Sequence, residues 1–199
     1  MNQTDKPFSE ACAENRGPIL EVLGPCLRSV RTVLEIGSGT GQHAVYLAAE
    51  LPHLIWQTSD RREHHAGIHL WIEDSGLANV LPSLDLDVRD HWPRDRFDAV
   101  FSANTAHIMS MPEVEAMFHG VSTVLADGGL FALYGPFNYG GRHTSESNER
   151  FDQWLKARDP RSGIKDFEAL DLLAADLGMV LAEDYTMPVN NRILLWRRS

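Results

Sequence analysis

The sequence of 199 residues predicts an α/β fold, in which a mostly parallel sheet has helices on both faces and an antiparallel C-terminal hairpin strand. Three observations predict it. Short apolar runs alternate with segments of helical periodicity. A glycine-rich turn joins the first apolar run to a helical segment. The chain closes with two runs of strand character around a short polar turn, which is typical of a hairpin.

The elements are predicted in alternation from residue 31 onward. Pro52 ends the first helix after the turn, and Gly76 closes the next one. Pro112 lies near the start of a third, where its missing N–H is tolerated. The predicted helices are 42–51, 62–76, 111–127, 147–158 and 166–178. The predicted strands are 31–37, 54–60, 80–88, 97–104 and 130–137, followed by the hairpin strands 179–188 and 192–198.

Composition and charge limit the classes of partner. The formal net charge of −10 disfavours extended contact with a nucleic-acid backbone. No apolar run is long enough to span a bilayer, and no secretory signal is visible. Cys12 and Cys26 are therefore expected to be reduced thiols of a cytoplasmic protein. We expect a single domain, 1–199, with a small-molecule substrate and no nucleic-acid, membrane or metal partner.

Three glycines at alternate positions, Gly37, Gly39 and Gly41, separate the first strand from the first helix. Glycine lets the backbone turn sharply and lets a ligand approach it, and the helix N-terminus presents free N–H groups there. Dinucleotide sites follow G-x-G-x-x-G, whereas this stretch reads G-S-G-T-G. Glu35 would also repel a pyrophosphate but suits a ligand with an ammonium and a sulfonium. The turn favours S-adenosylmethionine, and a nicotinamide cofactor is the alternative.

Polar residues end the next three predicted strands. Asp60 ends the second strand, where its carboxylate can accept hydrogen bonds from both ribose hydroxyls. Asp87 ends the third, where it can accept from the adenine amino group while the N–H of Val88 meets a ring nitrogen. Asn104 ends the fourth and faces the methyl end of the cofactor. Each alone also fits a capping or turn residue, but the set on one rim favours a cofactor site.

The stretch VLEIGSGTG, residues 33–41, resembles the first motif of class I S-adenosylmethionine-dependent methyltransferases. Asp60 and Asp87 fall where the second and third motifs of that superfamily lie. More narrowly, the chain resembles a methyltransferase-like family described as a domain of unknown function. One departure is the pair Arg61 and Arg62, where small or acidic residues are expected. The segments that carry the resemblance are 14–23, 35–48, 56–60, 103–108, 134–137, 147–160 and 187–198.

The resemblance covers nearly the whole chain and implies a Rossmann-like sheet of seven strands with the last strand antiparallel. It also implies S-adenosylmethionine as cofactor, but it gives no substrate. The expected cofactor-binding residues are Glu35, Gly37, Ser38, Gly39, Thr40, Gly41, Asp60, Asp87, Val88 and Asn104.

Two residues are candidates for the chemistry of methyl transfer. His107 lies three residues after Asn104 and is the candidate general base, with a structural histidine at a helix start as the alternative. Tyr134 ends the fifth strand, where its ring can orient a substrate or contact the sulfonium. A core aromatic with a satisfied hydroxyl is the alternative for Tyr134.

Two further segments are expected to face a substrate or cofactor. Residues 1–30 form an N-terminal helical lid, in which Asn15 and Arg16 precede a helix beginning near Pro18. Arg16 then meets a carboxylate of the cofactor or of an acidic substrate, and a solvated arginine beside a helix cap is the alternative. The polar loop 137–151 supplies the candidate substrate residues Arg142, His143 and Asn148.

The function predicted from the sequence is S-adenosylmethionine-dependent methyl transfer to an oxygen, nitrogen or sulfur atom of a small molecule. A nicotinamide-dependent oxidoreductase is disfavoured by the glycine spacing and by Glu35. A non-catalytic member that keeps the cofactor fold is the third hypothesis. His65 and His69 have a spacing that metals use, but a solvated helix face is the preferred interpretation.

Overall fold

The computed structural model describes residues 6–199. Its six α-helices are α1 (Glu10–Cys26), α2 (Gln42–Glu50), α3 (His65–Ser75), α4 (Met111–Val124), α5 (Glu146–Arg158) and α6 (Phe167–Asp176) within that range. Its strands are β1 (Thr32–Ile36), β2 (Ile55–Asp60), β3 (Val80–Asp85), β4 (Phe97–Ala103), β5 (Leu125–Gly135), β6 (Phe137–Asn138), β7 (Lys165–Asp166), β8 (Met179–Thr186) and β9 (Arg192–Arg198).

Seven strands form one sheet in the order β3-β2-β1-β4-β5-β9-β8. The pairs β1–β2, β2–β3 and β4–β5 are parallel, whereas β9 runs antiparallel to both β5 and β8. The two-residue strands β6 and β7 pair separately. The predicted α/β class, with a mostly parallel sheet and an antiparallel C-terminal hairpin, is confirmed.

The described chain separates into two compact units, the first ending at Asp87 and the second being Val88–Ser199. In the first unit the buried side chains of Leu34 and Trp56 lie on the paired strands β1 and β2. Helix α1 buries Ile19 and Leu23 on one face. Strand β1 is buried from Val33 to Ile36, whereas β3 is exposed at Leu81 and Pro82.

The second unit has an aromatic core. Phe118 of α4 contacts Phe131 of β5 edge-on, with ring centroids 5.2 Å apart, and Phe131 stacks on Trp196 of β9 at 5.6 Å. Such pairs stabilise a core beyond the area they bury. These contacts pack α4 against the paired strands β5 and β9.

The predicted boundaries between α4 and β5 and at the start of α1 are wrong. Helix α4 ends at Val124, and β5 begins at Leu125 rather than at residue 130. The segment after Leu125 forms an irregular extended stretch in which Gly128 has a φ of +74°. Helix α1 begins at Glu10, where the Ser9 hydroxyl accepts from the N–H of Cys12, and not near Pro18. A serine N-cap and the buried apolar face outweigh the hydrogen bond that Pro18 cannot donate.

The turn of the C-terminal hairpin contains two residues with a left-handed backbone, which a regular strand does not contain. Val189 has a φ of +58° and Asn190 a φ of +59°, and Val189 is exposed. Left-handed backbone is rare for a β-branched residue and is held only where neighbouring contacts impose it. One such contact is the amide of Asn148, buried at the start of α5, which donates to the carbonyl of Asn190 at 3.1 Å.

Candidate cofactor site

The glycine turn follows β1 in the first unit and has a left-handed backbone. Gly39 has a φ of +58° and Gly41 a φ of +89°. At Gly41 a side chain would come within 3.2 Å of the main chain of Ile68, so α3 packs directly on the turn. At Gly39 the nearest atom to a side chain would be the Gly37 carbonyl oxygen at 4.0 Å. The turn is therefore closed by protein on the Gly41 side and open in front of Gly39.

Asp60 holds this turn by its carboxylate. Its Oδ2 atom accepts from the N–H of Gly39 at 2.7 Å, and its Oδ1 atom accepts from the N–H of Arg61 at 2.7 Å. The side chain ends β2 as predicted and is almost fully buried. Each carboxylate oxygen can accept more than one hydrogen bond, so these two contacts leave capacity for a ligand hydroxyl.

Glu35 is a buried carboxyl group with one oxygen unpaired by the protein. The Ser38 hydroxyl donates to Oε2 at 2.8 Å, and the indole N–H of Trp56 donates to the same oxygen at 3.1 Å. No group of residues 6–199 donates to Oε1. Burial raises the pKa of Glu35 to about 7, against the two hydrogen bonds, which lower it, while the charge of Asp60 adds to the rise. Both printed donors share Oε2, so Oε1 keeps its acceptor capacity for a ligand donor.

Gln42 connects the N-terminal segment to the turn. Its side-chain oxygen accepts from the N–H of Ser9 at 2.6 Å and from the Thr40 hydroxyl at 3.0 Å, and its amide donates to the Ser9 carbonyl at 3.3 Å. Sequence reasoning missed this residue. Its only signal was an uncharged polar side chain at the first helical position after a glycine turn.

Asn15 and Arg16 lie inside α1 and contact α2. The Asn15 side-chain oxygen lies 2.6 Å from Nε2 of His43, whose Nδ1 atom lies 3.6 Å from the Cys12 sulfur. The guanidinium of Arg16 stacks over the Tyr46 ring at 4.5 Å. Burial lowers the pKa of His43 to about 4 and raises the pKa of the Cys12 thiol. These contacts attach the predicted lid segment to α2, and its residues 1–5 lie outside the described range.

Asp87 does not end a strand. Strand β3 ends at Asp85, whose carboxylate pairs with Arg62 at 3.0 Å, and Asp87 lies two residues beyond it. The prediction failed because LDLDV contains two acids at alternate positions, and the strand stops at the first. Val88 is buried, and its carbonyl accepts from the indole N–H of Trp92 at 3.1 Å.

In the second unit, Asn104 and Tyr134 come together at the ends of neighbouring strands. Asn104 follows β4 directly and has a φ of +59°, and its N–H donates to the Tyr134 carbonyl at 2.9 Å. The Tyr134 side chain is buried. The left-handed backbone at Asn104 turns the chain into the segment that carries His107.

His107 is a buried, neutral imidazole. Its ring packs against the edge of Phe151 with centroids 5.1 Å apart. Burial lowers the pKa of His107 to about 4, and the positive charge of Lys165 contributes to the lowering. A histidine in this state accepts a hydrogen bond at neutral pH but holds a proton only weakly.

The three predicted substrate residues of the polar loop separate into different roles. Arg142 is exposed. His143 lies 2.8 Å from the Asn138 side-chain oxygen and 3.8 Å from the buried carboxylate of Asp152. Asn148 is buried and supports the hairpin turn. His143 and Asn148 therefore have structural partners within the second unit.

No group of three or more metal-ligating side chains occurs among residues 6–199. His65 and His69 lie with ring centroids 6.0 Å apart. His65 contacts the Asp60 carbonyl at 2.9 Å, and His69 accepts from the N–H of Ser83 at 3.2 Å. Both therefore have backbone partners. Within the same range, no helix combines the length and apolar character needed to cross a membrane.

The family model described as "Protein of unknown function (DUF938)" matches residues 6–198. The chain belongs to this family. The match spans all described elements, so the resemblance read from the sequence segments is confirmed.

Solved structures show the fold of this DUF938 chain. It is similar to an O-methyltransferase family protein from Burkholderia thailandensis, with a TM-score of 0.78 at 14% identity over 95% of this chain and 60% of that one. It is similar to the S-adenosylmethionine-dependent methyltransferase SibL in its apo form, with a TM-score of 0.80 at 20% identity over 95% and 56%. It is also similar to the S-adenosylhomocysteine-bound form of CalO1, a methyltransferase in calicheamicin biosynthesis, with a TM-score of 0.78 at 16% identity over 95% and 54%.

The DUF938 chain thus has the mixed α/β, Rossmann-like fold of these solved structures. It spans between 54% and 60% of the length of these three structures.

Proposed function

We propose that this protein is a methyltransferase that binds S-adenosylmethionine at the glycine turn and transfers its methyl group to a small molecule. The observation that carries the proposal is the unpaired Oε1 atom of buried Glu35 beside a turn that is open in front of Gly39. A carboxyl group held in this way fits a cationic ligand, because a nearby positive charge stabilises its ionised form. A pyrophosphate would meet the same carboxylate with repulsion.

The proposed cofactor residues fit the parts of S-adenosylmethionine by their chemistry. Glu35 suits its ammonium group, and the backbone of Gly37, Gly39 and Gly41 suits the amino-acid tail, with Ser38 and Thr40 completing the turn. Asp60 suits the ribose hydroxyls through its spare acceptor capacity. Asp87 and Val88 are proposed for the adenine ring, and Asn104 for the methyl end. When bound, this cofactor supplies an electrophilic methyl carbon on a cationic sulfur.

His107 and Tyr134 are proposed to orient the acceptor. A neutral imidazole accepts a hydrogen bond from a hydroxyl, amine or thiol, and it does not repel a cationic donor as an imidazolium would. Because the pKa of His107 lies near 4, the residue is better suited to aligning the acceptor than to retaining its proton. Alignment alone supplies much of the rate of a displacement reaction.

The remaining proposals concern the substrate and the setting. The net charge of −10 supports a small-molecule acceptor over a nucleic acid. Arg142 is the exposed candidate for reading a substrate group. We propose that the N-terminal segment acts as a lid within a single domain, because Gln42 couples it to Thr40 of the turn. The proposed location is the cytoplasm, which agrees with the two free thiols Cys12 and Cys26.

Calorimetric titration tests the cofactor directly. We expect S-adenosylhomocysteine to bind to the full chain and NAD to give no heat of binding. Binding of NAD in place of S-adenosylhomocysteine would support the oxidoreductase and end the proposal. Incubation with a radiolabelled methyl donor and a metabolite extract then separates an enzyme from a non-catalytic cofactor-binding protein, because only an enzyme labels an extract component.

A further inference from the structure

A short segment between α5 and α6 binds the turn that carries His107 through its backbone. Three consecutive carbonyl oxygens of that turn each accept a hydrogen bond from residues 162–165. We call these donors the carbonyl clamp. The pairs are Gly163 N–H to the His107 carbonyl at 2.9 Å, the Ser162 hydroxyl to the Ile108 carbonyl at 2.9 Å, and Lys165 Nζ to the Met109 carbonyl at 2.7 Å.

Lys165 is the unusual member of the clamp. It is a buried lysine, and its ammonium also donates to the Gly163 carbonyl at 2.8 Å. Among residues 6–199 it has no carboxylate within ion-pair distance. The two carbonyl oxygens accept the hydrogen bonds that water would accept from an exposed ammonium. Burying a lysine charge without a counter-ion is costly, and such groups persist where they have a role.

The clamp is itself anchored to α5. The N–H of Ile164 donates to Oδ1 of the buried Asp152 at 2.8 Å, and Lys156 Nζ lies 2.6 Å from Oδ2 of the same carboxylate. Gly163 has a φ of +149°, and a side chain there would lie 2.9 Å from both Asp152 Oδ1 and Lys156 Cε. The close approach of the backbone to α5 therefore requires glycine at this position.

We propose that Lys165 is the positioning residue for His107: its ammonium holds the turn that carries the imidazole through the carbonyl oxygens of Met109 and Gly163. This inference rests on the proposed function only for its catalytic consequence, since the clamp consists of residues of this chain alone. The consequence is an acceptor-orienting imidazole that stays neutral and in place.

The electrostatics agree with this geometry. Burial lowers the pKa of Lys165 to about 8; Asp152 of α5 and Glu113 of α4 oppose the lowering, and Lys156 of α5 adds to it. Lys165 is thus largely charged at neutral pH. The burial of His107 and the positive charge of Lys165 both lower the pKa of His107.

The test is a histidine NMR titration of the full chain, with the His107 signal assigned from its loss in His107→Gln. In Lys165→Met the pKa of His107 is expected to rise, because a neighbouring positive charge has been removed. In Lys165→Arg it is expected to stay where it is in the parent. Arg150→Met is the matched control, because this exposed cation of α5 pairs with Glu146 outside the clamp, and its removal should leave His107 unchanged.

Hydrogen exchange measures the clamp separately. The Gly163 N–H is expected to exchange at least about 10-fold faster in Lys165→Met than in the parent. If Lys165→Met does not fold, Lys165→Gln takes its place, since it removes the charge while retaining a donor. An unchanged His107 titration together with unchanged Gly163 exchange in a folded charge-free variant would overturn the inference. Failure of the parent to bind S-adenosylhomocysteine would instead overturn the proposed function and leave the clamp intact.

Discussion

Glu35 in the first unit and Lys165 in the second are both buried and ionisable, but the protein treats them differently. Both donors to Glu35 reach a single oxygen and leave Oε1 unpaired. Lys165 donates to two carbonyl oxygens of its own unit. A carboxylate with unused acceptor capacity can take a further donor, whereas an ammonium that binds backbone carbonyl oxygens stabilises the fold around it. The contrast separates a candidate binding residue from a positioning residue without reference to any relative.

The largest expected effect concerns the turn beside Glu35. Gly39→Asp should weaken S-adenosylhomocysteine binding about 100-fold or more, because it adds a second carboxylate beside Asp60 and fills the open space before the turn. Calorimetry measures the affinity. Gly76→Asp is the matched control, since Gly76 has a φ of +63° and open space around it, but it closes α3. Equal affinity in the Gly39 variant and the parent would place the ligand elsewhere.

Glu35→Gln should lower the affinity for S-adenosylhomocysteine by about 10-fold or more while it stabilises the ligand-free protein at pH 8. The folded pKa of Glu35, about 7, lies above its unfolded value of 4.5. Its contribution to stability is therefore complete below pH 4.5 and is lost as pH rises through 7. Glutamine avoids that loss, and we expect a gain of about 1–3 kcal/mol in the free energy of unfolding at pH 8. Urea denaturation at pH 8 and pH 4.5 checks it, and a gain of equal size at both values would contradict the assignment.

Lys165→Met should act in the opposite direction on stability. It leaves the Met109 and Gly163 carbonyl oxygens without this donor, and we expect a loss of about 1–3 kcal/mol in the free energy of unfolding. Affinity for S-adenosylhomocysteine should change little. If the variant were more stable than the parent and also lost the ligand, the distinction between the two buried groups would fail. Denaturation and calorimetry on the same preparation decide this.

The smallest expected effect is the acid sensitivity caused by His43. Its folded pKa of about 4 lies below the unfolded value of 6.5, so the stability it contributes is present above pH 6.5 and is lost as pH falls toward 4. Glu35 changes stability in the opposite sense over part of this range. The free energy of unfolding should therefore fall most steeply with decreasing pH in Glu35→Gln. Adding His43→Gln to that variant should reduce the fall by about 1 kcal/mol. An unchanged slope would show that His43 is not buried as a neutral ring.

The local parts of the fold were predictable from the sequence. The turn after β1 and the buried strands are encoded by glycines and apolar runs within a few residues of each other. The start of β5 could not be predicted, because Leu125 continues the helical periodicity of α4. The first residue after it with a left-handed backbone is Gly128. Helix α1 runs through Pro18 because its buried face, and not its local propensity, decides where it lies.

The candidate site shows the same division. Glu35 and Asp60 could be predicted as site candidates because motif and strand end lie together in the sequence. The role of Lys165 could not be predicted, because its carbonyl partner at Met109 is 56 residues away. Every residue has a backbone carbonyl, so no residue type indicates such an acceptor. The substrate roles of His143 and Asn148 stay predictions, because a polar loop residue looks the same in a sequence whether it faces a substrate or a neighbouring helix.

The unpaired oxygen of Glu35 has a consequence for the thermochemistry of ligand uptake. Near neutral pH this acid is only partly ionised, so accommodating an ammonium group beside it would expel protons into the medium. The heat of binding would then include the ionisation enthalpy of whichever buffer takes up those protons, and values recorded in Tris and in phosphate would differ in proportion to the number released.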